Sequence, residues 1–121
     1  MTDDCIFCRF AKGEIPVKKI YENENFFSIF DKNPLVNGHC LVISKKHFKT
    51  ILDFPILYAT DLIDCVKSTS IKILKDTNSS GFNLVNNNFE SSGQVVPHFH
   101  LHIIPRKDKD GRSFELINKK D

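Results

Sequence analysis

Three of the five histidines in this chain fall at alternate positions of one short run, Pro97-His98-Phe99-His100-Leu101-His102-Ile103-Ile104. In a strand, successive side chains point to opposite faces, so His98, His100 and His102 share one face at a spacing of roughly 6.6 Å. Phe99, Leu101 and Ile103 cover the other face and would bury it. A solvated polar face would be served equally well by Thr, Lys or Glu. Imidazole is the side chain whose protonation changes near neutral pH, so a row of imidazoles points to chemistry. Two chemistries compete. Neutral imidazoles ligate metals; alternatively, one imidazole attacks an electrophile while its neighbour carries a proton.

The surroundings favour catalysis on a phosphate ester. Gly93-Gln94-Val95-Val96 precedes the run and suits a tight turn whose backbone N–H groups face an anion. Asn86, Asn87 and Asn88 add neutral donors. The sequence has no carboxylate cluster of the kind that holds Mg²⁺ or Ca²⁺, and no G-x-x-x-x-G-K-[ST] loop. A neutral, donor-rich loop beside histidines suits a phosphoryl group in transfer. Elsewhere, Cys5 and Cys8 stand at C-x-x-C spacing, which invites a metal or a redox reading. Cys40 and Cys65 lie in apolar company and read as buried small hydrophobes.

The elements that must position these residues are short strands and one long helix. Strands are expected at 19–21, at 26–31 with its Phe and Ile content, at 39–44, at 82–85 and at 98–104, the last stopped by Pro105. Between Pro55, placed in a first helical turn, and about Asp76, apolar residues Leu62, Ile63, Val66, Ile73 and Leu74 recur at helical steps. The order predicts an α+β fold with a mostly antiparallel sheet. The chain has 121 residues, room for one domain and one core. A core of about 5–106 is followed by a charged tail, 107–121, in which only Phe114, Leu116 and Ile117 can pack. Seventeen basic and fifteen acidic residues nearly balance, which argues against a nucleic-acid or membrane-surface binder. No apolar run approaches the roughly 18 residues of a spanning helix. The acidic start, Met1-Thr2-Asp3-Asp4, lacks a signal-peptide pattern, so an intracellular, cytoplasmic location without disulfides is expected.

The run His98-Phe99-His100-Leu101-His102-Ile103-Ile104 resembles the histidine triad pattern, H-φ-H-φ-H-φ-φ with φ apolar. Cys5-Ile6-Phe7-Cys8 with Gly13-Glu14-Ile15-Pro16 is similar to the N-terminal segment of the histidine triad (HIT) family. The stretch from Asp31 to His47 is similar to its central strand, and Asn86-Asn87-Asn88, Gly93-Gln94 and Pro105-Arg106 complete the likeness. The branch it resembles is the Hint-like nucleoside phosphoramidases, in their zinc-carrying microbial form. The resemblance implies a HIT-like fold of about five strands, one long helix and a short N-terminal helix.

The resemblance also implies roles. His100 would be the nucleophile, attacking the α-phosphorus of a purine nucleoside 5′-phosphoramidate to form a nucleotidyl-histidine that water resolves to the monophosphate. His102 would help deliver a proton to the leaving group, and His39 would support the triad. Asp31 would bind the ribose hydroxyls, Asn87 and Gln94 the phosphate, and Ile6, Phe7, Phe10 and Ile29 the base. From the residues alone, Asp31 is equally a turn former before Asn33-Pro34, and those four apolar residues are equally core. Val95 stands where many Hint-type enzymes carry a Ser or Thr hydroxyl facing the leaving group. Cys5, Cys8, His47 and His98 would hold a structural zinc, with no organic cofactor, and a two-fold homodimer is expected. Alternative readings are a dinucleoside polyphosphate hydrolase using the same His100, or a nucleotide-binding module of low turnover.

Overall fold

A computed structural model describes residues 4–112. Phe114, Leu116 and Ile117 of the expected tail lie outside the described residues. Helix α1 (Ile6–Lys12) opens the chain and ends at Gly13, whose left-handed φ of 77° closes the last turn. Strands β1 (Lys19–Glu22), β2 (Phe26–Phe30) and β3 (Cys40–Ser44) follow, then helix α2 (Ala59–Thr77), strand β4 (Gly81–Val85) and strand β5 (His100–Arg106). The five strands form one antiparallel sheet in the order β1-β2-β3-β5-β4. This is the expected α+β architecture, with the expected short N-terminal helix.

The sheet is covered on both faces. On one face, Phe26, Cys40, Val42, Phe99 and Ile103 pack against Leu62, Cys65, Val66 and Ile73 of α2. On the other, Phe27, Ile29, Leu41 and Ile43 pack with Cys5, Phe7 and Cys8 around α1. Strand alternation explains the division: Leu41 and Ile43 are out of phase with Cys40 and Val42. Register then fixes the histidines, because Ile43 pairs with His100 and Leu41 with His102. Cys40 and Cys65 are fully buried, as expected, and burial pushes their thiols up to about 12 and about 11.

Three expectations need correction. Pro55 precedes a 3₁₀ turn, Ile56–Tyr58, and α2 begins only at Ala59. The last strand starts at His100, since His98 sits in a bend whose N–H bonds Val96 O at 2.8 Å. Pro105 lies inside β5 instead of stopping it. Ser80 N–H donates to Arg106 O across the β4 edge, so alternation turns the Pro105 nitrogen toward β3. The β3 pairing has already ended at Cys40–Ile103, so no ladder bond is lost.

The turn into β3 is set by Gly38. Its φ is 92°, and a Cβ there would meet Thr77 Cγ2 at 2.7 Å. A residue without a side chain lets this turn close against the end of α2 and deliver His39 to the sheet.

Candidate active site

His100 is 3% exposed at the start of β5, edge-on to the Phe7 ring at a centroid distance of 5.0 Å. Its Nδ1 lies 2.8 Å from the backbone carbonyl oxygen of His98. A carbonyl only accepts, so Nδ1 carries the proton and Nε2 keeps the lone pair. That is the tautomer a nucleophile requires. Asn86 Nδ2 donates to the His100 carbonyl at 3.0 Å and ties the strand end to the preceding loop.

The same reasoning assigns the next pair. Leu35 N–H donates to His39 Nδ1 at 3.1 Å, so the His39 proton sits on Nε2. His39 Nε2 is 2.9 Å from His102 Nδ1, which therefore accepts, leaving the His102 proton on its own Nε2. His39 and His102 are each 3% exposed. Burial pushes His39 down to about 4, against the pull of Asp31, so His39 is neutral near pH 7. Asp31 is in phase with Phe27 and Ile29 and so faces the same side of the sheet. Its Oδ1 accepts Asn33 N–H at 2.8 Å, the turn-forming bond that the sequence allows, and Oδ2 lies 3.4 Å from His39 Nε2.

Asp31, His39 and His102 bring three potential metal-ligand atoms within 4.8 Å of one another. The tautomers argue against a metal there. With Leu35 N–H on Nδ1, His39 could offer Nε2 to a cation only as an imidazolate. The cluster reads as a hydrogen-bonded chain.

A cavity of about 290 Å³ opens over these groups. Its walls include Ile6, Phe7, Phe10 and Ile29, the four residues expected to form a base pocket, and its polar end holds Asp31, His100 and His102. Flat apolar walls with a few convergent polar groups suit a small aromatic ligand. Pro16, Val17, Leu41 and Val96 complete the walls, and Lys32 brings a cation. Leu41 was readable in principle, since it alternates with the core residues Cys40 and Val42.

Asn87, Gln94 and Val95 do not line this cavity. Gly93 N–H and Gln94 N–H donate to the carbonyls of Glu90 and Phe89, so the tight turn forms but spends these two donors on itself. Gln94 is also committed: Nε2 donates to Lys49 O at 2.7 Å, and Oε1 accepts Phe89 N–H at 2.7 Å. Those bonds hold Phe89 at a φ of 72°, a conformation a bulky residue avoids. Asn87 is buried beneath Gly93, and Val95 is 66% exposed beside a separate depression that includes Lys49 and Pro97.

A second constellation lies behind the triad. Cys5 Sγ and Cys8 Sγ are 3.2 and 3.5 Å from His98 Nδ1, and His47 Nδ1 is 3.3 Å from Cys8 Sγ and 3.2 Å from His98 Nδ1. Cys5 precedes α1 and Cys8 lies three residues on, so both face the sheet. His98 Nε2 lies 2.7 Å from Ser44 O and so carries the proton, turning the Nδ1 lone pair toward the thiols. Burial pushes the Cys8 thiol up to about 11 and His98 down to about 4. Both shifts oppose charge unless a cation is present. A tetrahedral zinc with bonds of about 2.3 Å to sulfur and about 2.0 Å to nitrogen has ligand–ligand edges of about 3.3–3.8 Å. The four separations given lie within a few tenths of an ångström of those edges, and all four ligand atoms lie within 4.8 Å of one another.

The chain and its fold have relatives among known proteins. A family model described as HIT domain matches residues 12–109. The protein named Adenylylsulfatase HINT3 of Arabidopsis thaliana is 42% identical over 110 residues, covering 91% of this chain and 56% of that protein. The chain thus spans little more than half the length of that relative. Adenosine 5′-monophosphoramidase HNT1 of Candida albicans is 39% identical over 110 residues, covering 87% of this chain and 72% of that protein. The crystal structure of a Zn-bound histidine triad family protein from Mycobacterium smegmatis superposes with a TM-score of 0.85 at 32% identity, covering 94% of this chain and 83% of that one.

Proposed function

The chain belongs to the HIT domain family, and from that premise we propose that it is a nucleotide hydrolase acting on purine nucleoside 5′-phosphoramidates through a nucleotidyl intermediate on His100. One observation carries the reading. The His98 carbonyl holds the proton of His100 on Nδ1, so Nε2 keeps its lone pair at the polar end of an apolar cavity.

The base would lie between Ile6, Phe7, Phe10 and Ile29, with the ribose hydroxyls toward Asp31. His100 Nε2 attacks the α-phosphorus as the P–N bond breaks, and water then attacks the nucleotidyl-histidine and releases the monophosphate. Splitting one displacement into two lowers each barrier. His102 Nε2–H serves the leaving nitrogen, and His39 orients His102. Two relatives support a nucleotide substrate by name, one an adenylylsulfatase and the other an adenosine 5′-monophosphoramidase. Asn87 and Val95 belong to the loop before the triad, where the phosphate side of a bound nucleotide would lie. Gln94 acts there as a brace, because both ends of its amide are already bonded.

Cys5, Cys8, His47 and His98 would hold a structural zinc. Four protein ligands leave no open position, so the ion would pin α1 against the sheet and supply no chemistry to the substrate. We also read the chain as a homodimer. Leu84 and Phe82 are exposed on the edge strand β4, on the α2 side of the sheet, and Ile63 and Ile71 are exposed on α2. An open edge beside exposed apolar residues is what a second copy would cover. Among the described residues, no helix is long and apolar enough to cross a membrane.

The test is release of AMP from adenosine 5′-phosphoramidate, wild type beside His100→Ala, with mass spectrometry of the protein during turnover. Wild type should turn over and carry a nucleotidyl adduct, and the variant should do neither. Equal turnover by the variant would remove His100 from the mechanism.

A further inference from the structure

His102 poses a question of proton accounting. In the arrangement described, it is neutral, with Nδ1 accepting from His39 and its proton on Nε2. A neutral imidazole can aim that proton at a leaving nitrogen, but releasing it would leave an imidazolate. To act as an acid, His102 needs a second proton, on Nδ1. His39 cannot then serve as partner. Its Nδ1 is occupied by Leu35 N–H and its Nε2 already carries hydrogen, so two N–H groups would face each other across 2.9 Å.

One carboxylate oxygen lies within ion-pair reach of both nitrogens. Asp31 Oδ2 is 3.4 Å from His39 Nε2 and 4.0 Å from His102 Nδ1. Asp31 Oδ1 is anchored by Asn33 N–H at 2.8 Å, which fixes the plane of the carboxylate. The Asp31 side chain is only 17% exposed and the two imidazoles are buried, so water and salt screen this attraction less than that of a surface pair. Among the described residues, His102 also faces the His100 ring, at a centroid distance of 5.3 Å, and its cross-strand partners Leu41 on β3 and Val85 on β4. From α1, the cavity wall contributes Ile6, Phe7 and Phe10, all uncharged, and Lys32 lies on the same cavity beside Asp31.

We propose that Asp31 is the counter-ion of the catalytic acid: its Oδ2, 4.0 Å from Nδ1, pairs with the charge of protonated His102 and so keeps available the proton that the leaving group receives. This rests on the phosphoramidase reading and gives a second duty to a carboxylate assigned there to the ribose. In the first step the His100 Nε2 lone pair forms the P–N bond to phosphorus. The bond from phosphorus to the leaving nitrogen breaks with its electron pair on nitrogen, which takes the His102 Nε2 proton. His102 is left neutral, with its remaining proton on Nδ1. In the second step water forms the new P–O bond and passes one proton to His102 Nε2, while the phosphorus–His100 bond breaks and returns its pair to Nε2. The acid is thereby restored.

The test separates this duty from ribose binding by changing the leaving group. Asp31→Asn keeps an oxygen for Asn33 N–H and removes the charge. Two substrates share the adenosine: an alkylamine phosphoramidate, whose leaving nitrogen needs a proton, and adenosine 5′-phosphosulfate, whose sulfate leaves without one. The variant should lose kcat on the amine substrate by about 10²-fold more than on the sulfate substrate, the size of a general-acid contribution. Equal losses on both substrates, with the change in KM, would reduce Asp31 to a ribose anchor and overturn the inference. If wild type turns over neither substrate, the phosphoramidase reading itself falls. The inference is then decided by the ¹⁵N chemical shifts of the His102 ring in wild type and Asp31→Asn at one mildly acidic pH: a smaller doubly protonated fraction in the variant sustains it, and identical shifts overturn it.

Discussion

The backbone carbonyl of His98 accepts the Nδ1–H of His100 at 2.8 Å, while the His98 ring faces two thiols and a second imidazole. One residue thus holds the His100 ring through its main chain and joins the Cys5, Cys8 and His47 cluster through its side chain. The two duties are separable. His98→Ala removes a ligand and leaves the carbonyl in place. Metal content measured by mass spectrometry should fall and the melting temperature should drop. At a temperature where the variant is folded, kcat should fall by much less than the roughly 10³-fold or greater loss expected of His100→Ala. Full zinc content in the His98 variant would discard the ligand set.

The cavity wall offers a contrast between binding and stability. Ile6 is 40% exposed and Phe7 only 6%, yet both line the cavity. Ile6→Ala should raise KM for a purine substrate several-fold and change stability by less than about 1 kcal/mol. Phe7→Ala should cost about 3–5 kcal/mol in denaturant unfolding, because it empties space beside the His98 and His100 rings. Equal stability losses at the two positions would contradict the burial assigned to them.

Stability should fall in mild acid. Burial pushes His39 down to about 4 from an ordinary 6.5. The unfolded chain therefore takes up this proton before the folded one does. The contribution is complete above about pH 6.5 and is lost as pH falls toward 4, at up to ~1.4 kcal/mol per pH unit for one proton. Denaturant midpoints across this window, wild type against His39→Gln, should show a shallower decline in the variant. Identical slopes would mean that His39 does not titrate between the two states.

Association should depend on the β4 edge. Leu84→Lys and Ile71→Glu place charge on exposed apolar positions, at 48% and 66% exposure, so neither should unfold a single chain. Sedimentation should report a dimer for wild type and a monomer for the double variant. A wild-type monomer at micromolar concentration would end this reading.

The triad was legible because a strand's two-residue period sorts residues by face, and His98, His100 and His102 stand at that period against Phe99, Leu101 and Ile103. Of the second cluster, the residues alone showed the Cys5–Cys8 spacing, and resemblance added His47 and His98, which are far from them in the chain. Register was the missing quantity elsewhere. Leu41 and Val96 join the cavity through strand pairing and loop packing, which composition does not encode. The resemblance assigned Gln94 to the phosphate; its two bonds to Lys49 O and Phe89 N depend on loops converging from separate segments, which the sequence does not encode. Pro105 misled for a related reason. A proline ends a strand only where its nitrogen faces a partner, and the sequence does not say which way that nitrogen points.

That proline also guards against error during assembly. A slip of β5 by one residue against β4 would exchange the two sides, turning the Pro105 nitrogen toward an acceptor it cannot satisfy. The same slip would drive His100 and His102 into the α2 core and expose Leu101 and Ile103 in the cavity. The misregistered sheet is thus penalised at its edge and in its interior together. The native register is thus the one that satisfies the proline and buries the apolar face while leaving the histidines at the cavity.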